Sequence, residues 1–227
     1  MINLKENTVN LNFFKRVLRE IKNNQERSLD IIDSFSENQF RSKIKIFESF
    51  DELGVDYKNS NAAIFGCWYG SILLSELLSR GVGQITAIDL DDDVIAIARN
   101  NLFPNSRNID FITGDVATTK LSRYRDCNIF INTSCEHMPP PKEWLFWRSV
   151  KEGSWFAFQS NNMEGIDGHI NCIHSIKEFK QQLPPHFEVL IKGENIDIRG
   201  TRYTLVGRIG KIKLADNVET VLSGIDI

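Results

Sequence analysis

The sequence is poor in most of the features that mark specialised protein classes. It has four cysteines, Cys67, Cys127, Cys135 and Cys172, and no C-x-x-C pair among them. That pattern excludes a disulfide framework and reads as reduced thiols in a cytoplasmic protein. No apolar run is long enough to span a membrane, and the N-terminus shows no apolar signal region, so no membrane association is expected. Basic residues number 27 against 30 acids, a formal net charge of -3, which argues against a nucleic-acid partner. There is no internal repeat and no low-complexity segment. From about Asn10 to Leu53 there is neither glycine nor proline.

What is present is an ordinary globular composition, 41% hydrophobic and 25% charged, enough for a full core in 227 residues. In the glycine-free stretch, Phe13, Phe14, Val17, Leu18 and Ile21 recur at helical spacing. Leu29, Ile31 and Ile32 follow, then Ile44, Ile46 and Phe47. Two or three amphipathic helices are expected there. They form either a layer that completes the fold or a lid over a cleft, and the pattern does not separate the two.

The chain is organised around residues 61–90. Ala62 to Phe65 is a short apolar run that reads as a buried strand. Gly66-Cys67-Trp68-Tyr69-Gly70 is a tight turn, and Ile72, Leu73, Leu77 and Leu78 then recur at helical spacing before Gly81 and Gly83. A second strand, Gln84 to Leu90, contains Asp89 near its end. Strand, glycine turn, helix, strand and terminal acid make up the nucleotide-binding half of a doubly wound sheet. Glycines belong in such a turn because a ligand approaches only where side chains are absent. A terminal acid accepts hydrogen bonds from ribose hydroxyls.

On this stretch the sequence resembles the class I S-adenosylmethionine-dependent methyltransferases, whose first motif is an acidic residue, any residue, then G-x-G-x-G. Gly66 and Gly70 match the outer glycines and Asp89 the ribose-binding acid. Trp68 stands in place of the central glycine, and Ile64 in place of the acid. An indole at that point must turn away from the ligand or stack along it. The nicotinamide-binding fingerprint G-x-G-x-x-G is not met.

The next segments continue the alternation. Asp91 to Leu102 opens with three acids and reads as a helix, stopped by Pro104. Ile109 to Thr113 reads as a strand. It is followed by Gly114-Asp115, where the resemblance implies an acid that bonds the adenine amino group; a plain turn is the other reading. Asp126 to Ser134 is an apolar fourth strand turning polar, followed by Cys135-Glu136-His137-Met138 and three prolines. Ligands of open α/β sheets sit outside the carboxyl ends of the strands, so polar residues gathered there are candidates for a site. The resemblance implies a Glu136-His137 pair near the transferred methyl, where an imidazole takes a proton from an attacking O–H or N–H. The other reading of His137 is a helix cap.

Lys142 to Val150 is expected to be a short helix and Ser154 to Ser160 a fifth strand. The polar run Met163 to His174 then forms a loop on the same edge. His169 and His174 there, with His137, put three of the four histidines at strand ends. No metal-binding spacing is present, so an ordinary polar pocket without metal is expected. Ser175 to Leu183 reads as a helix with a capping box. Phe187 to Ile191 and Tyr203 to Ile209 read as two strands joined by a polar segment, Gly193 to Arg202.

The expected architecture is therefore α/β, a doubly wound, mostly parallel seven-stranded sheet with a terminal antiparallel pair, preceded by N-terminal helices. Residues 1–55 form the helical extension, 56–210 the Rossmann-like domain, and 211–227 a tail of weak helical character. The resemblance implies a methyltransferase using S-adenosylmethionine on a small-molecule O or N acceptor. Gly66, Trp68, Gly70, Asp89, Leu90, Asp115, Val116 and Thr133 are expected at the cofactor, and Glu136 and His137 at the chemistry. Asn162, His169, Asn171 and His174 are expected at the acceptor. Transfer of the cofactor's aminocarboxypropyl arm, or a non-catalytic cofactor-binding or regulatory module, are the alternatives. A homodimer stays open.

Overall fold

The computed structural model describes residues 11–210 apart from 120, 145, 146, 148 and 149, and the side chains of 121 and 122. Three helices come first, α1 (Leu11–Asn23), α2 (Ser28–Asp33) and α3 (Glu37–Glu52). The alternating part follows as β1 (Ala62–Phe65), α4 (Leu73–Ser79), β2 (Ile85–Asp89), α5 (Asp92–Ile97), β3 (Ile109–Thr113), β4 (Ile129–Asn132) and β5 (Trp155–Asn161). α6 (Ile176–Gln181), β6 (Phe187–Asp197) and β7 (Gly200–Ile209) complete it.

The strands form one seven-stranded sheet in the order β3-β2-β1-β4-β5-β7-β6. The first five are parallel to one another. β7 runs antiparallel to both β5 and β6. The order reverses at β1 and β4, and a crevice opens at such a reversal, beyond the carboxyl ends of the strands.

β1 is buried along its whole length because both faces of the sheet are covered. Ala62 and Ile64 face a core built with Ile46, Phe47 and Phe50 of α3 and Leu73, Leu74 and Leu77 of α4. Ala63 and Phe65 face the other, with Tyr124, Phe130, Trp144, Trp147, Phe156 and Phe158. The indoles of Trp144 and Trp147 donate to the carbonyls of Pro139 and Pro141, which lets these large side chains be buried.

α3 belongs to the sheet's own core. Its N-cap is Ser36, whose hydroxyl accepts from the Gln39 N–H. Buried Gln159 of β5 donates to the Ser42 carbonyl at 2.8 Å and to Thr204 Oγ1 at 2.9 Å, tying α3 to two strands.

Some expected boundaries shift. The helix after Asp91 has its α-helical turns in α5 and ends as a wider π-turn over Ala98–Leu102. The polar segment expected to link the last two strands is mostly strand: β6 runs on to Asp197 and pairs with β7 as far as Gly200. An edge strand pairs through its backbone and does not need apolar side chains, so its polar half carried no strand pattern. In place of the helix expected over Lys142 to Val150 there is a short 3₁₀ turn at Pro141–Glu143, part of that span lying outside the described residues. The tail from Lys211 lies outside them altogether.

Candidate active site

A cavity of about 950 Å³ lies at the carboxyl ends of the parallel strands. One end is made by the turn after β1 and the end of β2. The other is made by the loops after β4 and β5 together with α3 and β7, and α2 also borders the cavity. This volume lies near the upper end of small-molecule sites, ~300–1,000 Å³.

The turn after β1 is built on positive backbone angles. Gly66 has φ 62, Trp68 φ 49 and Gly70 φ 65. Trp68 adopts the left-handed conformation that favours glycine, at a cost of roughly 1 kcal/mol. Its N–H donates to Asp89 Oδ2 at 2.7 Å, which fixes the turn to the end of β2. The half-buried indole packs on the core and borders the cavity. Glycine is also needed for space: a Cβ on Gly66 would lie 2.8 Å from Met138 Cε, and one on Gly70 2.2 Å from Leu74 Cδ1. α4 starts at Leu73, three residues after Gly70.

Asp89 accepts a second backbone N–H, from Asp91 to Oδ1 at 3.1 Å. Burial raises its carboxyl's pKa, and the N–H groups of Trp68 and Asp91 oppose that shift by stabilising the anion. Leu90, 70% exposed, and Asp115 and Val116 from the loop after β3 border the same end of the cavity. Asp115 closes a local turn by accepting from the Ala117 N–H at 2.8 Å. Thr133 is buried, and its carbonyl accepts from Arg202 Nη1 at 3.3 Å.

At the other end Glu136 is 3% exposed. Its Oε1 accepts from Asn161 Nδ2 at 2.6 Å and lies 3.8 Å from Arg202 Nη1, while Oε2 is buried with no hydrogen-bond partner. An unsatisfied buried oxygen of this kind costs roughly 1–3 kcal/mol, more when charged. His137 is exposed at the wall, its Nδ1 3.0 Å from the Gly168 carbonyl. The His169 ring meets it edge to face at 4.6 Å, with Nδ1 2.8 Å from the Met163 carbonyl. Glu136, His137 and His169 form a cluster whose ligating atoms lie within 4.8 Å of one another.

Of the residues expected at the acceptor, the structure brings His169 to the cavity and leaves Asn162, Asn171 and His174 out of its wall. Asn162 Oδ1 accepts from the Thr201 N–H at 2.7 Å. Asn171 exchanges two hydrogen bonds with Gln182, at 2.9 and 2.8 Å. His174 is exposed with Nε2 3.1 Å from Glu164 Oε1. Asn162 and Asn171 thus tie the loop to β7 and to the end of α6, and His174 bonds within it.

Residues that sequence reasoning missed supply the rest of this end. Arg202 of β7 is 6% exposed, with Nε unpartnered. Lys43 of α3 borders the cavity, bonded to Gln39 Oε1. Burial, then the Arg202 guanidinium, lower the Lys43 ammonium pKa to about 7 against the pull of Glu136 and Asp33. One signal was available: Lys43 sits three and four residues before Ile46 and Phe47, on the apolar stripe of its helix.

The N-terminal helices also border the cavity. Ser34 Oγ is 2.9 Å from Ser71 Oγ, and Arg27 Nη2 is 2.8 Å from Asp91 Oδ2. These contacts join the end of α2 to the turn after β1, and the start of that helix to the loop after β2.

No protein-family model matches the chain. A curated relative, a ubiquinone biosynthesis O-methyltransferase of Nitrosomonas europaea, is 32% identical over 101 residues. That match covers 43% of this chain and 42% of the relative, so the chain spans well under half of the relative's length. Among solved structures, the N-methyltransferase NodS from Bradyrhizobium japonicum WM9 superposes with a TM-score of 0.59 at 12% identity, over 78% of this chain and 99% of that one. A mutant of MtNAS in complex with S-adenosylmethionine gives a TM-score of 0.53 at 12% identity, over 88% and 72%. The chain has the class I methyltransferase fold. The glycine turn and Asp89 border the same cavity as the Glu136 cluster.

Proposed function

We propose that the protein transfers the methyl group of S-adenosylmethionine to an oxygen or nitrogen of a small molecule. One observation carries this reading. A single cavity runs from the Gly66–Gly70 turn and Asp89 to a polar cluster of buried Glu136 and Arg202 with the more exposed His137 and His169. A cofactor and an acceptor then lie in line within one enclosure.

Asp89 would hold the ribose hydroxyls, its two oxygens already oriented by backbone N–H groups. Asp115 and Val116 would border the adenine. The sulfonium is a good leaving group, so the protein's task is mostly alignment of the attacking atom with the methyl carbon. The attacking atom's proton leaves to the Glu136–His137–His169 end, and His137 is the group placed to receive it. The curated relative is an O-methyltransferase and NodS an N-methyltransferase, so both acceptor atoms stay within the reading.

The test is product analysis by mass spectrometry after incubation with S-adenosylmethionine and panels of small phenols, hydroxy acids and amines. Formation of S-adenosylhomocysteine together with an acceptor gaining one methyl group supports the reading. Methylthioadenosine as the product assigns transfer of the aminocarboxypropyl arm instead. Absence of turnover with bound cofactor assigns a binding module.

A further inference from the structure

The Glu136–His137–His169 cluster is organised in more detail than an acceptor pocket requires. Each histidine places Nδ1 against a backbone carbonyl, Gly168 at 3.0 Å and Met163 at 2.8 Å. A carbonyl only accepts, so the proton sits on Nδ1 and Nε2 keeps its lone pair in both rings. Carbonyl-bonded imidazoles of this kind are the usual support of a metal-ligating histidine. Glu136 divides its two oxygens: Oε1 takes Asn161 and faces Arg202, and Oε2 is sealed from water with no partner. An unpartnered buried carboxylate oxygen is a group that a cation would satisfy.

We propose that Glu136, His137 and His169 hold one divalent cation of the zinc class at this end of the cavity. Two imidazoles and one carboxylate suit zinc, cobalt or iron, whereas magnesium and calcium prefer oxygen ligands throughout. Three protein ligands leave a coordination position open towards the cavity, and this part rests on the reading of that end as the acceptor pocket. An acceptor hydroxyl bound there loses its proton to water as the cation lowers its pKa. The resulting oxygen forms the C–O bond with the methyl carbon while the C–S bond breaks. The electron pair stays on sulfur, giving S-adenosylhomocysteine. His137 is then a ligand, and the cation takes over the work of a base.

The full chain, purified without an affinity tag and freed of metal with a chelator, is titrated calorimetrically with Zn²⁺. Its visible spectrum is recorded with Co²⁺. The expected result is one Zn²⁺ per chain and a Co²⁺ spectrum of nitrogen and oxygen ligation. Affinity should fall by about a hundredfold or more in His169→Ala, since even outer-shell losses cost ~10–100-fold. Glu136→Gln should behave alike, and because that residue is buried, His169→Ala on the partly exposed loop is the primary variant. Absence of Zn²⁺ binding, binding unchanged in His169→Ala, or binding lost in Cys172→Ser but kept in Glu136→Gln overturns the site. S-adenosylmethionine titrated into the same samples reads the two ideas apart. Cofactor binding without Zn²⁺ binding overturns the metal site alone. Zn²⁺ binding without cofactor binding leaves the site standing and removes the methyl-transfer reading.

Discussion

Replacing Lys43 with methionine tests whether the polar end of the cavity is held at a cost to stability. Its ammonium falls from 10.5 to about 7 because the folded chain shields it from water and places Arg202 beside it. Taken at full value, that drop is about 5 kcal/mol of penalty on the charged form in the folded state. Lys43 is only half-buried and borders the open cavity, so the effective penalty is nearer ~1–3 kcal/mol after screening.

The sign follows from proton counting. Well below pH 7 the lysine is charged in both states, and the whole cost is present. Between about 7 and 10.5 the unfolded chain binds more protons than the folded one, so wild-type stability rises with pH. Lys43→Met has no such group and keeps the stem's packing. It should therefore be more stable than wild type by ~1–3 kcal/mol near pH 6, with the advantage fading towards pH 10. Urea unfolding of both proteins across that range measures the difference, in which the titrations of groups remote from Lys43 cancel. A difference that does not change with pH, or a variant less stable than wild type near pH 6, refutes the reasoning.

Two turn substitutions and one cap follow from the same structure. Gly70→Ala sets a Cβ 2.2 Å from the buried Leu74 side chain at a φ of 65, so it should destabilise by ~2–4 kcal/mol in urea unfolding. Trp68→Gly relieves the left-handed angle but loses the indole's core contacts, for a net loss of ~1–2 kcal/mol in the same assay. Ser36→Ala removes the N-cap bond of α3 and should cost about 1 kcal/mol.

The elements legible in the sequence are those whose signal is local. Ala62–Phe65 falls where the short apolar run puts it, because a strand buried on both faces reads as continuous hydrophobicity. Asp89 was legible from its place after a glycine turn and a second strand. The polar half of β6 was not, since its pairing with β7 is made by the backbone.

The site divides in the same way. Glu136 and His137 follow a strand and could be placed on the correct edge. Lys43 and Arg202 come from a helix before the sheet and its last strand, and only tertiary packing brings them to one wall. Asn171 and His174 share the loop of His169, and composition alone does not distinguish a side chain aimed at a cavity from one bonded to Gln182 or Glu164. The grouping of Glu136, His137 and His169 was silent too, because the three come from two separate loops.

On the proposed reading, the Gly66–Gly70 turn and Asp89 receive S-adenosylmethionine. Calorimetric titration of wild type, Asp89→Asn and Asp89→Ala with S-adenosylmethionine, repeated with S-adenosylhomocysteine, tests it most directly. Far-UV circular dichroism should confirm that each variant is folded. The prediction is micromolar binding of both ligands to wild type, weakened by about 10–100-fold in the variants through loss of charged hydrogen bonds to the ribose. Absence of binding to wild type, or wild-type affinity in Asp89→Ala, would contradict it.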